Sequence, residues 1–249
     1  MTRRRFIADE VSRDRAALVG EHANRLVRVL RARVGEEFDI ATGAAVRRGR
    51  ISSVTDDRVE FELNEEVAAA NLSEITLLLA IFKFDRMEWA IEKCTELGVS
   101  RIVPAIAGRT DTHLAAASTK RVERWQRIAR QASEQARRTT PPEIAVPIKV
   151  AEALNLQAAL RIVLAESEER TLLRDVLKPQ AANDGIVLAV GPEGGWTEDE
   201  LRSFKQAEWI SASLGNTILR AETAAMAATA IVASAFSRRT STDFKGYDR

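Results

Sequence analysis

From residue 75 onward the sequence alternates between short, wholly apolar runs and longer stretches of helical periodicity, and this alternation leaves few possible folds. Thr76–Phe82, Arg101–Ile106, Arg161–Ala165, Ile186–Val190 and Ile210–Leu214 are the apolar runs. A strand covered on both faces reads as such a run, whereas a half-exposed strand alternates apolar with polar. The helical stretches have their own punctuation. Asp85 with Glu88 resembles a capping box, and Gly98 is a stop. Across Thr119–Arg138, Val122, Trp125, Ala129, Ala132 and Ala136 recur on one face, Lys120, Arg124, Arg127 and Arg138 on the other, and Pro141-Pro142 ends the pattern. Val150–Leu160 reads as helix, Thr197–Glu208 as a helix boxed by Thr197 and Glu200, and Ala221–Phe236 as an Ala-rich helix. Parallel strands need crossovers of this length. The expected class is α/β with a mainly parallel sheet.

The first 72 residues follow another rule. Glu37–Thr42, Val46–Thr55 and Arg58–Leu63 are β-rich, with turns at Gly43 and Asp56-Asp57. They imply a small β-barrel or sheet, and Glu65 to Ser73 reads as a linker. The expected domains are 1–72, 73–240 and a frayed tail at 241–249.

Charge is informative only locally. The chain has 249 residues with 37 basic against 36 acidic. Residues 1–50 nevertheless carry twelve arginines against seven acids, and residues 120–138 seven basic residues against two glutamates. Such patches can hold a phosphate backbone, or be solvated helix faces. One cysteine, Cys94, excludes an internal disulfide framework and sits in a helical pattern as a core residue. Two distant histidines, His22 and His113, give no metal-site signature, and no metal is expected. The N-terminus lacks a signal-peptide pattern, and no run of about 18 uncharged apolar residues occurs. A cytoplasmic protein without a membrane span is expected.

Ligands of open parallel sheets bind at the carboxyl ends of strands. Three strand-to-loop transitions there have unusual composition: Val163 to Glu166, Val190 to Trp196, and Ser213 to Ala224. The second carries Gly191, Gly194 and Gly195, which lets backbone approach a ligand closely. It is neither a P-loop nor a dinucleotide fingerprint. Alone, the second loop would more often be a turn into a helix, and the third reads similarly, with Glu222 and Thr223 only starting a helix.

Together the loops, with further motifs along nearly the whole chain, resemble the SPOUT methyltransferases, and most closely the bacterial 16S ribosomal RNA uridine-N3 methyltransferases. The resemblance is carried by Arg5-Phe6, by His22 with Val29-Leu30-Arg31 and Gly35, and by Lys83 with Asp85-Arg86-Met87-Glu88. Lys93 to Val99, Glu123-Arg124-Trp125 and Glu134-Gln135 continue it. It ends in Gly191-Pro192-Glu193-Gly194-Gly195 and in Leu214-Gly215 with Ile218 to Ala224. There are two departures. Gly108-Arg109-Thr110 stands where the family tends to have Glu-Arg-Ser, and Ala136-Arg137-Arg138 where it usually has Ser-Gly-Arg.

The resemblance implies a PUA-like barrel ahead of a domain with a C-terminal trefoil knot, and a homodimer. It implies S-adenosylmethionine as cofactor, held by Leu164, Ala165, Glu166, Gly191, Pro192, Glu193, Gly194, Gly195, Leu214, Gly215, Ile218, Leu219, Glu222, Thr223 and Ala224. Glu166 and Glu193 could bond the ribose or offset positive charge, or be ordinary loop carboxylates. The acceptor, N3 of a uridine in 16S ribosomal RNA of the small subunit, bears a proton, so catalysis needs a base or donors for an anionic uracil. Arg220 is the candidate for the second role; its bland alternative is a pair with Glu222 or a contact to a phosphate. Arg3, Arg4, Arg5, Arg28, Arg31, Arg86, Arg124 and Arg138 are candidate RNA contacts. Two rivals stay open at this point: a non-catalytic RNA-binding protein, and a SPOUT enzyme acting on another RNA or acceptor atom.

Overall fold

The computed structural model describes residues 4–43, 45–67, 74–177 and 185–236. Arg3 and the expected tail 241–249 lie outside them. The chain divides into two compact units. One gathers Met1–Asn71, Ile91–Glu96 and Lys120–Ile144; the other gathers Leu72–Ala90, Leu97–Thr119 and Ala145–Arg249.

The first unit is built on a curled sheet. Its strands are β1 (Arg5–Ile7), β2 (Glu10–Ser12), β3 (Arg15–Val19), β4 (Glu37–Ala41), β5 (Val46–Val54) and β6 (Arg58–Val67), and the order is β1-β4-β5-β6-β3-β2. Only β1 and β4 pair in parallel. Register shifts in β5 between Arg47 and Gly49 and between Ile51 and Ser53 mark bulges, which raise the local twist. β6 continues through Glu65, Glu66 and Val67, so those residues of the expected linker are strand: Glu66 pairs with Arg47 and Val67 with Val46. The three N-terminal strands are too short to announce themselves as periodic patterns. Phe6, Leu18, Leu26, Ile40, Ile51, Val59 and Phe61 fill the interior.

A short helix α1 (Glu21–Asn24) continues as a π-helical turn, Arg25–Val29. The helix α4 (Val122–Gln135) and the short strand β9 (Glu143–Ile144) belong to the same unit. Asp9 is the polar knot here. It accepts from the Val19 amide at 2.9 Å, pairs with Arg130 of α4 at 2.8 Å and meets His22 at 3.2 Å. α4 is shorter than its pattern, because Arg137 takes a left-handed φ of 55° and the Arg138 amide turns back to the Ser133 carbonyl at 2.9 Å. Arg137 occupies the place where the family pattern has glycine, and the chain keeps a glycine-like turn without one.

In the second unit every sheet pairing is parallel. β7 (Ile75–Ala80), β8 (Arg101–Ile106), β10 (Ile148–Lys149), β11 (Leu160–Leu164), β12 (Ile186–Val190) and β13 (Ile210–Ala212) stand in the order β10-β8-β7-β12-β11-β13. One row across it reads Ile102, Leu77, Leu188, Ile162, Ile210, so apolar residues are in register from strand to strand. The connecting helices are α2 (Phe84–Glu96), α3 (Thr112–Ser118), α5 (Val150–Ala153), α6 (Leu173–Val176), α7 (Glu198–Gln206) and α8 (Ala221–Phe236). α2 starts at Phe84, so Asp85 lies in its first turn rather than capping it. The helix expected over Val150–Leu160 is a single turn. Leu154 and Leu156 continue as a chain reversal packed on the core, and Leu160 already begins β11. Among the described residues no helix is long and apolar enough to cross a membrane.

Glu134 tests the interior of the first unit. Burial pushes its carboxyl above the usual carboxylate range, against the Ile7 amide, which it accepts at 3.4 Å, and against the nearby His22, Arg130 and Arg25. A carboxyl raised by folding contributes its stability at low pH and loses it as pH rises through the folded-state value. Glu134→Gln should therefore be more stable than the parent at pH 7 in urea unfolding, with the difference vanishing below about pH 4. A parent at least as stable at both pH values would mean that the ionised carboxylate is held favourably.

Candidate active site

The strand order reverses beside β7, where the chain leaves one half of the sheet for the other, and such switch points open a crevice at the carboxyl ends. A cavity of about 870 Å³ lies there, walled by the loops after β11, β12 and β13.

The loop after β12 is shaped by its glycines and Trp196. Gly195 has φ +70° and donates to the Pro192 carbonyl at 2.8 Å, closing a turn open to few other residues. Trp196 is buried, edge-on to Phe204 at 5.1 Å, and its indole N–H donates to the Leu164 carbonyl at 2.9 Å. A side chain at Gly191 would press its Cβ on that indole at 3.2 Å. Gly194 has more room, its nearest neighbour being the Arg109 side chain at 3.4 Å. Arg109 donates to the Gly194 carbonyl at 2.7 Å. The expected capping box holds. The Thr197 hydroxyl accepts from the Glu200 amide at 3.2 Å, and Glu200 accepts from the Thr197 amide at 2.9 Å. The other Glu200 oxygen accepts from the Gly108 amide at 2.7 Å, tying the loop after β8 to α7.

The loops after β11 and β13 are joined by backbone. Ala165 donates to the Ala212 carbonyl at 3.0 Å, Ser213 to Thr171 at 2.9 Å and Leu173 to Ser213 at 2.9 Å. Glu168 accepts from the amides of Arg170 and Thr171, which hold its carboxyl below the usual range.

Leu164, Ala165, Glu166, Gly191, Pro192, Glu193, Gly194, Gly195, Leu214, Gly215, Ile218, Leu219, Arg220 and Ala224 all line this cavity. Glu222 and Thr223 do not, because the first turn of α8 points Glu222 inward, 3% exposed, and leaves Thr223 on the surface. Arg220 is exposed on the wall and forms no ion pair among the described residues. The pair with Glu222 does not form; Glu222 faces Arg86 instead, at 3.9 Å. Arg86, expected on the RNA side, lines the cavity and binds Glu193 at 2.6 Å.

Sequence reasoning missed Arg109, Trp196 and Leu172, which also line it. Arg109 lies just past β8, on a loop with no glycine cluster to draw attention. Trp196 was readable only as the end of the glycine run. Among the remaining arginines, Arg4, Arg28, Arg31 and Arg124 are exposed. Arg5 and Arg138 are corrected: both are buried, Arg138 donating to the Thr95 carbonyl at 2.7 Å and Arg5 to that of Arg137. Burial lowers the Arg138 pKa to about 10. Neither guanidinium is presented to a phosphate.

Comparisons with known proteins agree in kind. A family model described as an RNA methyltransferase domain matches residues 69–233. A ribosomal RNA small subunit methyltransferase E from Rickettsia conorii is 33% identical over 218 residues, covering 85% of this chain and 86% of its own. The protein of that name from Bacillus subtilis is 28% identical, with 84% and 85% covered. A crystal structure of a ribosomal RNA small subunit methyltransferase E from Neisseria gonorrhoeae, bound to S-adenosyl methionine, aligns with TM-score 0.84 and 31% identity, over 94% of this chain and 98% of that one.

The departure at Gly108 can be tested by stability. A Cβ there would meet the Thr197 methyl at 3.0 Å. Gly108→Ala should disturb the cap and lower unfolding stability by up to about 1 kcal/mol, the scale of a lost N-cap. Thr197→Ser, which drops the methyl but keeps the hydroxyl, should recover most of it in the double variant. No recovery in urea unfolding would place the strain elsewhere.

Proposed function

The chain belongs to the RNA methyltransferase family represented by the ribosomal RNA small subunit methyltransferase E proteins, and from that premise we propose that it methylates N3 of one uridine in 16S ribosomal RNA. It is an S-adenosylmethionine-dependent ribosomal RNA methyltransferase. The observation that carries the reading is the cavity itself. Three interlocked loops at a sheet switch point enclose a volume suited to a small cofactor, and Arg220 on the wall forms no ion pair among the described residues.

The residues present fit the cofactor. Leu164, Leu214, Ile218 and Leu219 offer an apolar slot, the Gly191–Gly195 loop offers close backbone, and Glu166 or Glu193 can receive ribose hydroxyls or offset positive charge. S-adenosylmethionine supplies an electrophilic methyl on its sulfonium, so the protein's task is to orient an acceptor and to manage its proton. The N3 proton must pass to a base or to solvent before the new bond is complete, and the negative charge its loss leaves on the uracil carbonyl oxygens persists until N3 takes the methyl and the neutral thioether departs. Arg220 supplies a fixed guanidinium for that charge. Being permanently protonated, it is a donor and not the base.

The acceptor nitrogen lies on the Watson–Crick edge, so the target base is unpaired or flipped into the cavity. The first unit then serves as a PUA-like docking module within residues 1–72, with exposed Arg4, Arg28 and Arg31 on phosphates, and Arg124 of α4 adding to it. Residues 73–240 would form the SPOUT domain. The parallel order in which β12 is inserted between β7 and β11 supports a trefoil-knotted chain there. A homodimer acting on the small subunit in the cytoplasm completes the proposal.

The deciding experiment incubates the protein with methyl-labelled cofactor and small subunits from a strain deleted for the activity, followed by mass spectrometry of the RNA. One N3-methyluridine is expected. Label on another atom would overturn the acceptor, and no label the reading itself.

Three variants separate binding from chemistry. Arg220→Ala should lower the single-turnover rate by roughly 10²–10³, the scale of one lost oxyanion donor, with cofactor affinity little changed. A loss confined to affinity would make Arg220 a binding residue. Gly195→Val, placed at φ +70°, meets about 1–3 kcal/mol of backbone strain and should weaken cofactor binding at least about tenfold in calorimetry. Gly194→Ala, with space for a methyl, should bind almost normally. Equal effects at both positions would mean that the turn geometry does not shape the site.

A further inference from the structure

Arg86 stands on the cavity wall between two carboxylates of different character. Its Nη1 lies 2.6 Å from Glu193 Oε1 on the glycine loop, and its Nε 3.9 Å from Glu222 Oε1 on α8. The Glu193 side chain is about a third exposed, at 35%, and can be solvated. Glu222 is only 3% exposed, and its Oε2 has no hydrogen-bond partner among the described residues. Burying a carboxylate is unfavourable unless a charge answers it. The first turn of a helix favours negative charge, but that alone does not account for an acid turned away from water. What Glu222 does face is Arg86. Arg220, two residues earlier in the sequence, lines the same cavity and carries no ion pair among the described residues.

We propose that Glu222 is a positioning residue for methyl transfer: it commits Arg86 to the cavity wall and thereby leaves Arg220 free for the acceptor. The inference rests on the methyltransferase reading above. Arg86, held by Glu222, in turn holds Glu193, so three elements that carry the site are tied by charge: α2, the glycine loop and α8. Without Arg86, the only carboxylate near Arg220 on its own segment loses its partner. Glu222 then turns to Arg220 and quenches the guanidinium that should meet the uracil oxygens. The sign of this effect is unusual, because a second substitution should repair the first.

The test is a double-mutant cycle in single-turnover methylation, with the parent's activity in the same assay as the condition for reading it. Arg86→Gln should lower the rate at least about 30-fold. Adding Glu222→Gln should raise that rate at least about fivefold, because the competing carboxylate is gone. Glu222→Gln alone should lower the rate about tenfold with cofactor affinity within threefold of the parent. Losses that multiply in the double variant, or a parental rate for Glu222→Gln, would overturn the proposal.

A second readout needs neither cofactor nor RNA. Glu222→Gln, which loses a charge but keeps its shape, should speed hydrogen exchange in peptides covering Gly191–Gly195 while leaving β12 unchanged. Unchanged exchange in that loop would also overturn the proposal, even for a protein whose substrate proved to be other than a uridine.

Discussion

A buried hydrogen bond joins two of the loops that wall the site: the Trp196 indole N–H on the Leu164 carbonyl, 2.9 Å long. Leu164 is the last residue of β11, so its carbonyl is left over where the ladder ends. A buried carbonyl without a partner would be costly, as would a buried indole N–H. Each satisfies the other, and the two strands' loops are thereby fixed at one distance. The indole is also the floor on which Gly191 lies and one end of an aromatic row through Phe204 to Trp209 at 5.0 Å. The glycine loop is thus anchored to the core through its last residue and is spared any secondary structure of its own.

The same logic governs the other two loops. Ser213 both donates to Thr171 and accepts from Leu173, and Ala165 donates to Ala212, so residues beyond the strand ends carry on pairing as short parallel bridges. Irregular chain can wall a cavity only if its polar groups are paired. These bonds do so while leaving glycine backbone and apolar side chains toward the void. The bridges link segments 40 or more residues apart in sequence, so closing the cavity carries the loop-closure entropy of those long separations.

This explains which parts were legible in the sequence. Strands buried on both faces announce themselves, and Arg101–Ile106 and Ile186–Val190 fall where their apolar runs lie. The Thr197–Glu200 box was readable because both partners lie in one turn. The glycine loop and the Ile218–Ala224 segment were readable as motifs, chiefly through the family resemblance. Illegible were pairings between distant segments: Arg109 on Gly194, Arg86 on Glu193, and the inward turn of Glu222. Local periodicity has no access to these. The single turn at Val150–Ala153 failed for a related reason, since Leu154 and Leu156 keep an apolar spacing while packing as a chain reversal.

Arginine count overstated the basic surface for a physical reason. Helix C-termini leave carbonyls without intrahelical donors, and a guanidinium supplies several donors in a fixed plane. Arg138 reaches the carbonyl of Thr95, in the last turn of α2, and also that of Thr140; Arg5 reaches the carbonyl of Arg137 just beyond α4. The macrodipole favours a cation at both places. These arginines close helix ends inside the first unit, and the burial of Arg138 lowers its pKa. A basic excess in sequence therefore mixes two populations, cations consumed by helix ends and cations left on the surface. Only the second, with Arg28 and Arg31 on the segment after α1 as its clearest members, can answer to a phosphate backbone.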